Sequence, residues 1–244
     1  MIPSFIHLKS TDSTNTFLIE KASNNNVADT VVYADEQSHG KGLGSNTWES
    51  APLKNLTFSI ALNTSFIEVS NQFQLSQSVA VSLHKFLSNY LNIDKLSIKW
   101  PNDILYDHKK MSGVLISNLL KNNRMDLSVV GVGINVNQMK FQDWPTNPVS
   151  MKMITGTDFD LEELLHSAVY SIYESLELLK SDGYNSISDY YLKHLYRYHQ
   201  LGNYLVDGDV KRLFMKGLDG FGRLVLCDDV SCEYVFDVKQ IKFV

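Results

Sequence analysis

Cysteine is nearly missing from this 244-residue chain, with Cys227 and Cys232 standing alone. Their spacing matches neither a CxxC redox pair nor a zinc-knuckle framework, so both read as buried or idle thiols. A surplus of positive charge is missing too. Lys and Arg total 22 against 27 Asp and Glu, for a formal net charge of -5 and a pI near 5.8. That balance disfavours nonspecific binding to nucleic acid or to an anionic membrane, since either needs excess cations to neutralise phosphates. No apolar stretch approaches the ~20 residues that span a bilayer. The opening MIPSFIHLKS lacks both a basic start leading into an apolar run and a small-residue cleavage site, which points to the cytosol. Neither an internal repeat nor a low-complexity tract is present. Roughly a dozen residues precede the cluster at Asp12, too few for a helix-turn-helix reader of DNA.

What is present is an ordinary globular composition, 44% apolar and 20% charged, long enough to enclose a pocket. Apolar and β-branched runs at 4–8 and 30–34 predict strands, and a short apolar face predicts a helix over 13–23, ended by Asn24, Asn25 and Asn26. Alternation predicts a strand over 56–62. Helical spacing of Leu75, Val79, Leu83, Phe86, Leu87 and Tyr90 predicts a core-packed helix over 72–91. Two apolar runs, 110–120 and 125–136, are joined by the polar turn 121–124 and read as an antiparallel hairpin. Helical periods return over 160–179, capped by Asp158 or Asp160, and over 186–198. From about Leu201 the chain breaks into short strands at glycine and aspartate turns. The expected architecture is α+β: a mixed sheet with flanking helices over 1–199, and a small all-β module over 200–244. So short a module is marginal alone and is expected to lean on the larger part.

Four polar or glycine-bearing segments interrupt these patterns. The loop from Ser38 to Trp48 holds Gly40, Lys41, Gly42 and Gly44; glycines let backbone N–H groups converge on an oxyanion, and Lys41 adds a full charge beside them. It is not a Walker sequence, and a mobile surface loop is the plainer reading. Trp48 at its end offers a stacking face for a base or an anchor for a lid. In Lys99-Trp100-Pro101-Asn102-Asp103 the proline imposes an extended approach, with Asn102 and Asp103 at the start of a turn, where Asp103 can hold Mg²⁺. An Asx turn would equally explain them. Beyond lies Lys109-Lys110-Met111-Ser112-Gly113, in which buried neighbours and a glycine allow one lysine to face inward. Gly131 and Gly133 flank Val132 in a strand, marking either a ligand or backbone lying close, or a bulge. Finally Ser13, Thr14, Asn15 and Gln37 supply donors and acceptors for a neutral polar head group, or simply cap a helix.

Together these segments resemble the biotin protein ligase family, whose catalytic fold is shared with lipoate ligases. DSTN at 12–15, the loop at 40–48, KWPND at 99–103, KKMSG at 109–113 and GVGINVN at 131–137 occur in the family's order. The tail from about Leu201, with GLDGFGRLVL at 217–226, resembles the family's small SH3-like C-terminal barrel. The resemblance implies an ATP- and Mg²⁺-dependent enzyme that adenylates biotin and passes it to a lysine of a biotin carboxyl carrier domain. It implies biotin contacts from Ser13, Thr14, Asn15, Gln37, Gly40, Lys41, Gly42, Lys110 and Gly113, and nucleotide contacts from Lys41, Trp48, Asn102, Lys110 and Asn135. Lys110, Lys41 and Asp103 would carry the chemistry, with Asp103 near the metal. The carrier could dock by adding a strand to an open sheet edge. A monomer and a homodimer are both compatible with the sequence.

One departure stands out. The family's loop usually reads GRGRxGxxW, whereas this chain has Lys41 and Leu43 at the two arginine positions. Lysine keeps the charge without the bidentate fork and leucine keeps neither, so faster release of the adenylate is expected. The alternatives are a lipoate or octanoate ligase, which would want an apolar tunnel, and a noncatalytic biotin-binding protein.

Overall fold

The computed structural model describes residues 3–23, 27–122, 124–142, 147–181 and 183–244. Its frame is a seven-stranded sheet of β1 (Ser4–Leu8), β2 (Thr30–Ala34), β3 (Leu56–Asn63), β4 (Leu96–Lys99), β5 (Asp103–Tyr106), β6 (Lys109–Lys121) and β7 (Arg124–Ile134). The strand order is β1-β2-β3-β7-β6-β5-β4. β1 and β2 run parallel, joined through helix α1 (Thr14–Ala22), and the other neighbours are antiparallel. The sheet is therefore mixed, as expected.

Strand period two builds two cores from one sheet. Val31, Ile60 and Val130 point to the larger core, shared with α2 (Phe73–Ser88), the one-turn α3 (Met151–Thr155), α4 (Leu161–Lys180) and α5 (Tyr184–Lys193). Their neighbours Val32, Ala61 and Val129 point the other way and meet Leu18 of α1. β3 is consequently buried along both faces up to Leu62 and does not alternate between core and solvent, as its pattern had suggested. Asp160 caps α4 by accepting from the backbone N–H groups of Glu162 and Glu163, which settles the choice between two aspartates.

Several expectations shift. α2 is shorter than 72–91 at both ends. The helix predicted over 186–198 starts at Tyr184 and stops at Lys193, because the chain turns aside to bond β4: Ile98 N–H donates to His194 O and Tyr196 N–H to Ile98 O, both at 2.8 Å. β4, β5 and α3 were not foreseen; the first two have four residues each and α3 has five, too few to show a period. The predicted β6–β7 hairpin is present, closing at Lys121 opposite Arg124. Asn24, Asn25, Asn26 and Asn123, invoked as breaker and turn, lie outside the described residues.

The C-terminal strands β8 (Leu201–Val206), β9 (Asp209–Leu218), β10 (Leu224–Cys227), β11 (Glu233–Phe236) and β12 (Ile241–Phe243) form an antiparallel sheet in the order β11-β10-β9-β8-β12. Among the described residues no pairing joins β11 to β12, so the sheet is open. Its inward residues, including Tyr204, Met215 and Leu226, belong to the larger core of the main sheet. Cys227 is half-buried and Cys232 exposed, both as free thiols, so neither is fully buried and the idle alternative is the one left for Cys232.

Candidate active site

The motifs converge on the α1 side of the sheet, around a cavity of about 350 Å³. Ser13, Thr14, Asn15, Gln37, Lys41, Gly42, Trp48, Asn102, Asp103, Lys110 and Gly113 all line it. Gly40 does not, and Asn135 opens instead on a small neighbouring recess shared with Trp48 and Lys110. Residues far apart in sequence meet because α1, β6 and β7 are adjacent and because the β4–β5 turn folds over their end.

One end of the cavity is polar and neutral. Ser13 caps α1, and Thr14 follows with its N–H and hydroxyl both directed at Gln37 Oε1, at 2.8 and 3.1 Å. Ser59 Oγ lies 2.9 Å from the Thr14 hydroxyl and also lines the wall. With its oxygen engaged this way, the Gln37 side chain has its NH₂ available as a donor. Ser59 escaped the sequence reading; a serine inside the largely apolar run LTFSIAL was the available signal. Asn15 reaches the wall too, but its amide donates to Leu115 O and Val129 O and its oxygen accepts from Ser117, so it ties α1 to β6 and β7.

The other end is charged. Lys110 Nζ pairs with Asp103 at 2.8 Å, with both side chains about three-quarters buried, and sits 5.8 Å from the Trp48 ring centroid. Gly113 makes room for this pair: a Cβ there would stand 3.1 Å from Lys110 Nζ and 3.2 Å from Asp103 Oδ1. Lys110, not Lys109, is the lysine that faces inward. Asp103 opens β5 opposite Lys99, and residues 100–102 make the turn, with a cis Trp100–Pro101 peptide. The expected extended approach with Asp103 at a turn's start is thereby corrected. Asn102 is buried and donates to Val114 O at 2.9 Å, which fixes that turn against β6. Behind it, burial pushes the Lys99 ammonium down; Asp103 opposes this, while Lys110 and Arg197 add to it. The Tyr191 phenol, buried with its hydroxyl donating to Pro101 O, is held far above its usual range by burial and by Asp103.

The glycine loop is a small hairpin, bridged between Lys41 and Thr47. Gly42 N–H donates to Asn46 O and Trp48 N–H to Gly40 O, both at 2.8 Å. Those two amides are thus engaged within the loop. Lys41 and Leu43 are both exposed at the cavity rim. Trp48 turns inward and lies on Gly133, where any Cβ would overlap the indole. Gly131 is likewise bare beneath Asn15. The two strand glycines therefore accommodate the protein's own side chains, the lid-anchor alternative for Trp48. The indole Nε1 is buried without a hydrogen-bond partner among the described residues.

Comparison with known proteins bears on this geometry. The model of the biotin/lipoate A/B protein ligase family matches residues 7–135. The bifunctional ligase/repressor BirA of Bacillus subtilis is 35% identical over 133 residues, which is 54% of this chain and 40% of that protein, so the matched segment spans less than half of the relative. The Escherichia coli BirA is 26% identical over 230 residues, covering 89% of this chain and 67% of the relative. Among solved structures, the biotin protein ligase from Aquifex aeolicus in complex with biotin and ATP superposes with a TM-score of 0.79 at 26% identity, covering 99% of each chain. Every residue lining the cavity, from Ser13 to Gly133, falls inside the 7–135 segment that the family model matches over more than half of the sequence, and the chain belongs to the biotin/lipoate A/B protein ligase family.

Proposed function

We propose that this protein is an ATP-dependent biotin protein ligase. It condenses the biotin carboxylate with the α-phosphate of ATP, releasing pyrophosphate, and the resulting biotinyl-5'-AMP then acylates a lysine amine of a biotin carboxyl carrier domain, releasing AMP. The observation that carries the reading is a single cavity with a neutral hydrogen-bonding end at Thr14, Gln37 and Ser59 and a cation, Lys110, at the other, with Lys41 on its rim. An elongated acid with a polar ring at one end and a carboxylate at the other matches that polarity. A purely apolar lipoyl or octanoyl chain would leave the Gln37 amide without a partner, a cost of about 1–3 kcal/mol.

The chemistry follows from charge. Bringing a carboxylate to a phosphate opposes two anions, and a unit pair at ~4 Å costs ~4 kcal/mol at an effective dielectric of 20. Lys110 stands where the two would meet and offsets that repulsion, most strongly as charge builds on the phosphoryl oxygens. Lys41 covers the nucleotide from the loop, while Trp48 and Asn102 frame it, with Asn135 behind them in the adjoining recess. Asp103 is the carboxylate able to hold Mg²⁺. Among the described residues no cluster of three or more His, Cys, Asp or Glu side chains exists, which suits an ion that keeps few protein ligands and shares phosphate oxygens. When bound, the ion would neutralise phosphate charge and assist pyrophosphate departure.

We read residues 1–199 as the catalytic domain and 200–244 as an SH3-like module lying against it, in a cytosolic enzyme. No helix among the described residues is long and apolar enough to cross a membrane. The test is intact-mass analysis of a candidate carrier domain incubated with this protein and ATP, in parallel with biotin, lipoate and octanoate. An ATP-dependent mass gain with biotin alone is expected. A gain with lipoate or octanoate in its place overturns the biotin reading, and no gain with any acid overturns the ligase reading.

A further inference from the structure

The small recess on which Asn135 opens shares Thr47, Trp48 and Lys110 with the main cavity and holds about 30 Å³, the room of about one water or one amino group. Glu49 forms part of its wall. One oxygen of that carboxylate is taken: Oε1 accepts from Gln138 Nε2 at 3.4 Å and from Gln142 N–H at 3.2 Å. Gln138 has no freedom to turn round, because its own oxygen accepts from Ala51 N–H and Asn55 Nδ2. The second oxygen of Glu49, Oε2, is buried and has no hydrogen-bond partner among the described residues. An acceptor sealed from water and left open is unfavourable, and a ligand N–H placed against it removes that cost.

We propose that Glu49 is a specificity-determining residue for the nucleotide base, its Oε2 accepting from the exocyclic amino group of adenine. The proposal rests on the ligase reading above and deepens it. A base lying by Trp48 in the main cavity needs to pass only an amino-sized group across to the recess, which matches the recess volume. An ionised carboxylate is acceptor-only, so the oxo group that hypoxanthine and guanine carry in place of that amine meets it acceptor against acceptor. A carboxylate can also hold guanine by its paired N–H groups, but that clamp needs two free oxygens, and Oε1 is engaged.

The experiment measures biotin-dependent pyrophosphate release by the full chain with ATP, inosine triphosphate and GTP in turn, at varied nucleotide and biotin. The parent should favour ATP over both others in kcat/KM by roughly tenfold to a hundredfold, the worth of one hydrogen bond to a charged acceptor. Glu49→Ala should lose that preference chiefly through a higher KM for ATP, with the KM for biotin unchanged. Glu49→Gln is the sharper variant. Its amide oxygen is held by the Gln138 and Gln142 donors, so its NH₂ faces the recess and should turn the preference toward inosine triphosphate. A ratio of ATP to inosine triphosphate equal to the parent's in both variants overturns the role of Glu49. A fall shared equally by all three nucleotides marks loosening of the 138–142 segment and also overturns it, as does a parent that shows no preference for ATP or prefers GTP. A parent that releases no pyrophosphate with biotin and any nucleotide overturns the ligase reading, and Glu49 falls with it.

Discussion

Lys110 holds two relationships that a ligand would rearrange: an ion pair with Asp103 and proximity to the Trp48 ring. Removing its ammonium leaves Asp103 facing the cavity without its counter-charge, where it would repel the carboxylate and the phosphate alike. Lys110→Ala is expected to lower biotin-dependent pyrophosphate release by at least about a hundredfold, the effect typical of losing one charge-stabilising donor. Turnover retained within a few-fold of the parent would remove it from the chemistry. Leu43 offers the converse test, since an arginine there adds a forked cation to the rim. Leu43→Arg should slow dissociation of biotinyl-adenylate by about tenfold, in line with one added charge-assisted hydrogen bond. Retention of labelled adenylate through rapid gel filtration measures this, and an unchanged rate would dismiss Leu43 as a determinant. At this scale the sequence was readable wherever a residue type is unusual for its element. Glycines inside β7, a lysine beside a buried run and an Asp after Trp-Pro-Asn all pointed at the cavity. Ser59 was missed because its partner at Thr14 is set by tertiary placement, which a serine inside LTFSIAL does not by itself reveal.

Among the elements, α2 carries the most consequential titratable group outside the site. His84 is fully buried on that helix, its Nδ1 3.1 Å from the Tyr190 hydroxyl and its ring 4.5 Å from that of His194 on the exit of α5. Burial and the neighbouring His194 lower its pKa from 6.5 to about 4. Because the folded value lies below the unfolded one, the unfolded chain takes up the proton first as pH falls. The stabilisation is complete above about pH 6.5 and is lost progressively down to about pH 4, a swing on the order of 3 kcal/mol. Denaturant midpoints across that range should fall for the parent and fall less steeply for His84→Gln. Parallel slopes in the two proteins would show that other groups govern acid unfolding. Long elements such as α4 and the β6–β7 hairpin were legible from period and turn chemistry, whereas β4 and β5 became strands only through pairing with each other and with β6. The premature end of α5 has the same cause, since its would-be last turn is diverted to bond β4.

For the molecule as a whole, the joint between the two sheets matters most. Trp100 Nε1 donates to Gly222 O at 2.8 Å in a buried setting, and Gly222, at φ +81, comes so close to Phe73 that a Cβ would overlap its ring. Trp100→Phe keeps the ring volume in large part and leaves the Gly222 carbonyl unpaired, so a loss of about 1–3 kcal/mol in unfolding free energy is expected. Thermal unfolding should remain a single transition, because the inward residues of both sheets share one core. A second, separate transition in the parent would instead mean that the sheets melt independently. The joint also fixes an order of events during synthesis. Trp100 leaves the ribosome long before Gly222, so a chain paused anywhere between Gly133 and Gly222 has written every cavity-lining residue yet still lacks the brace beneath the β4–β5 turn. Competence then arrives with the late strands, and fragments released early would be poor at the chemistry even though their motifs are all spelled out.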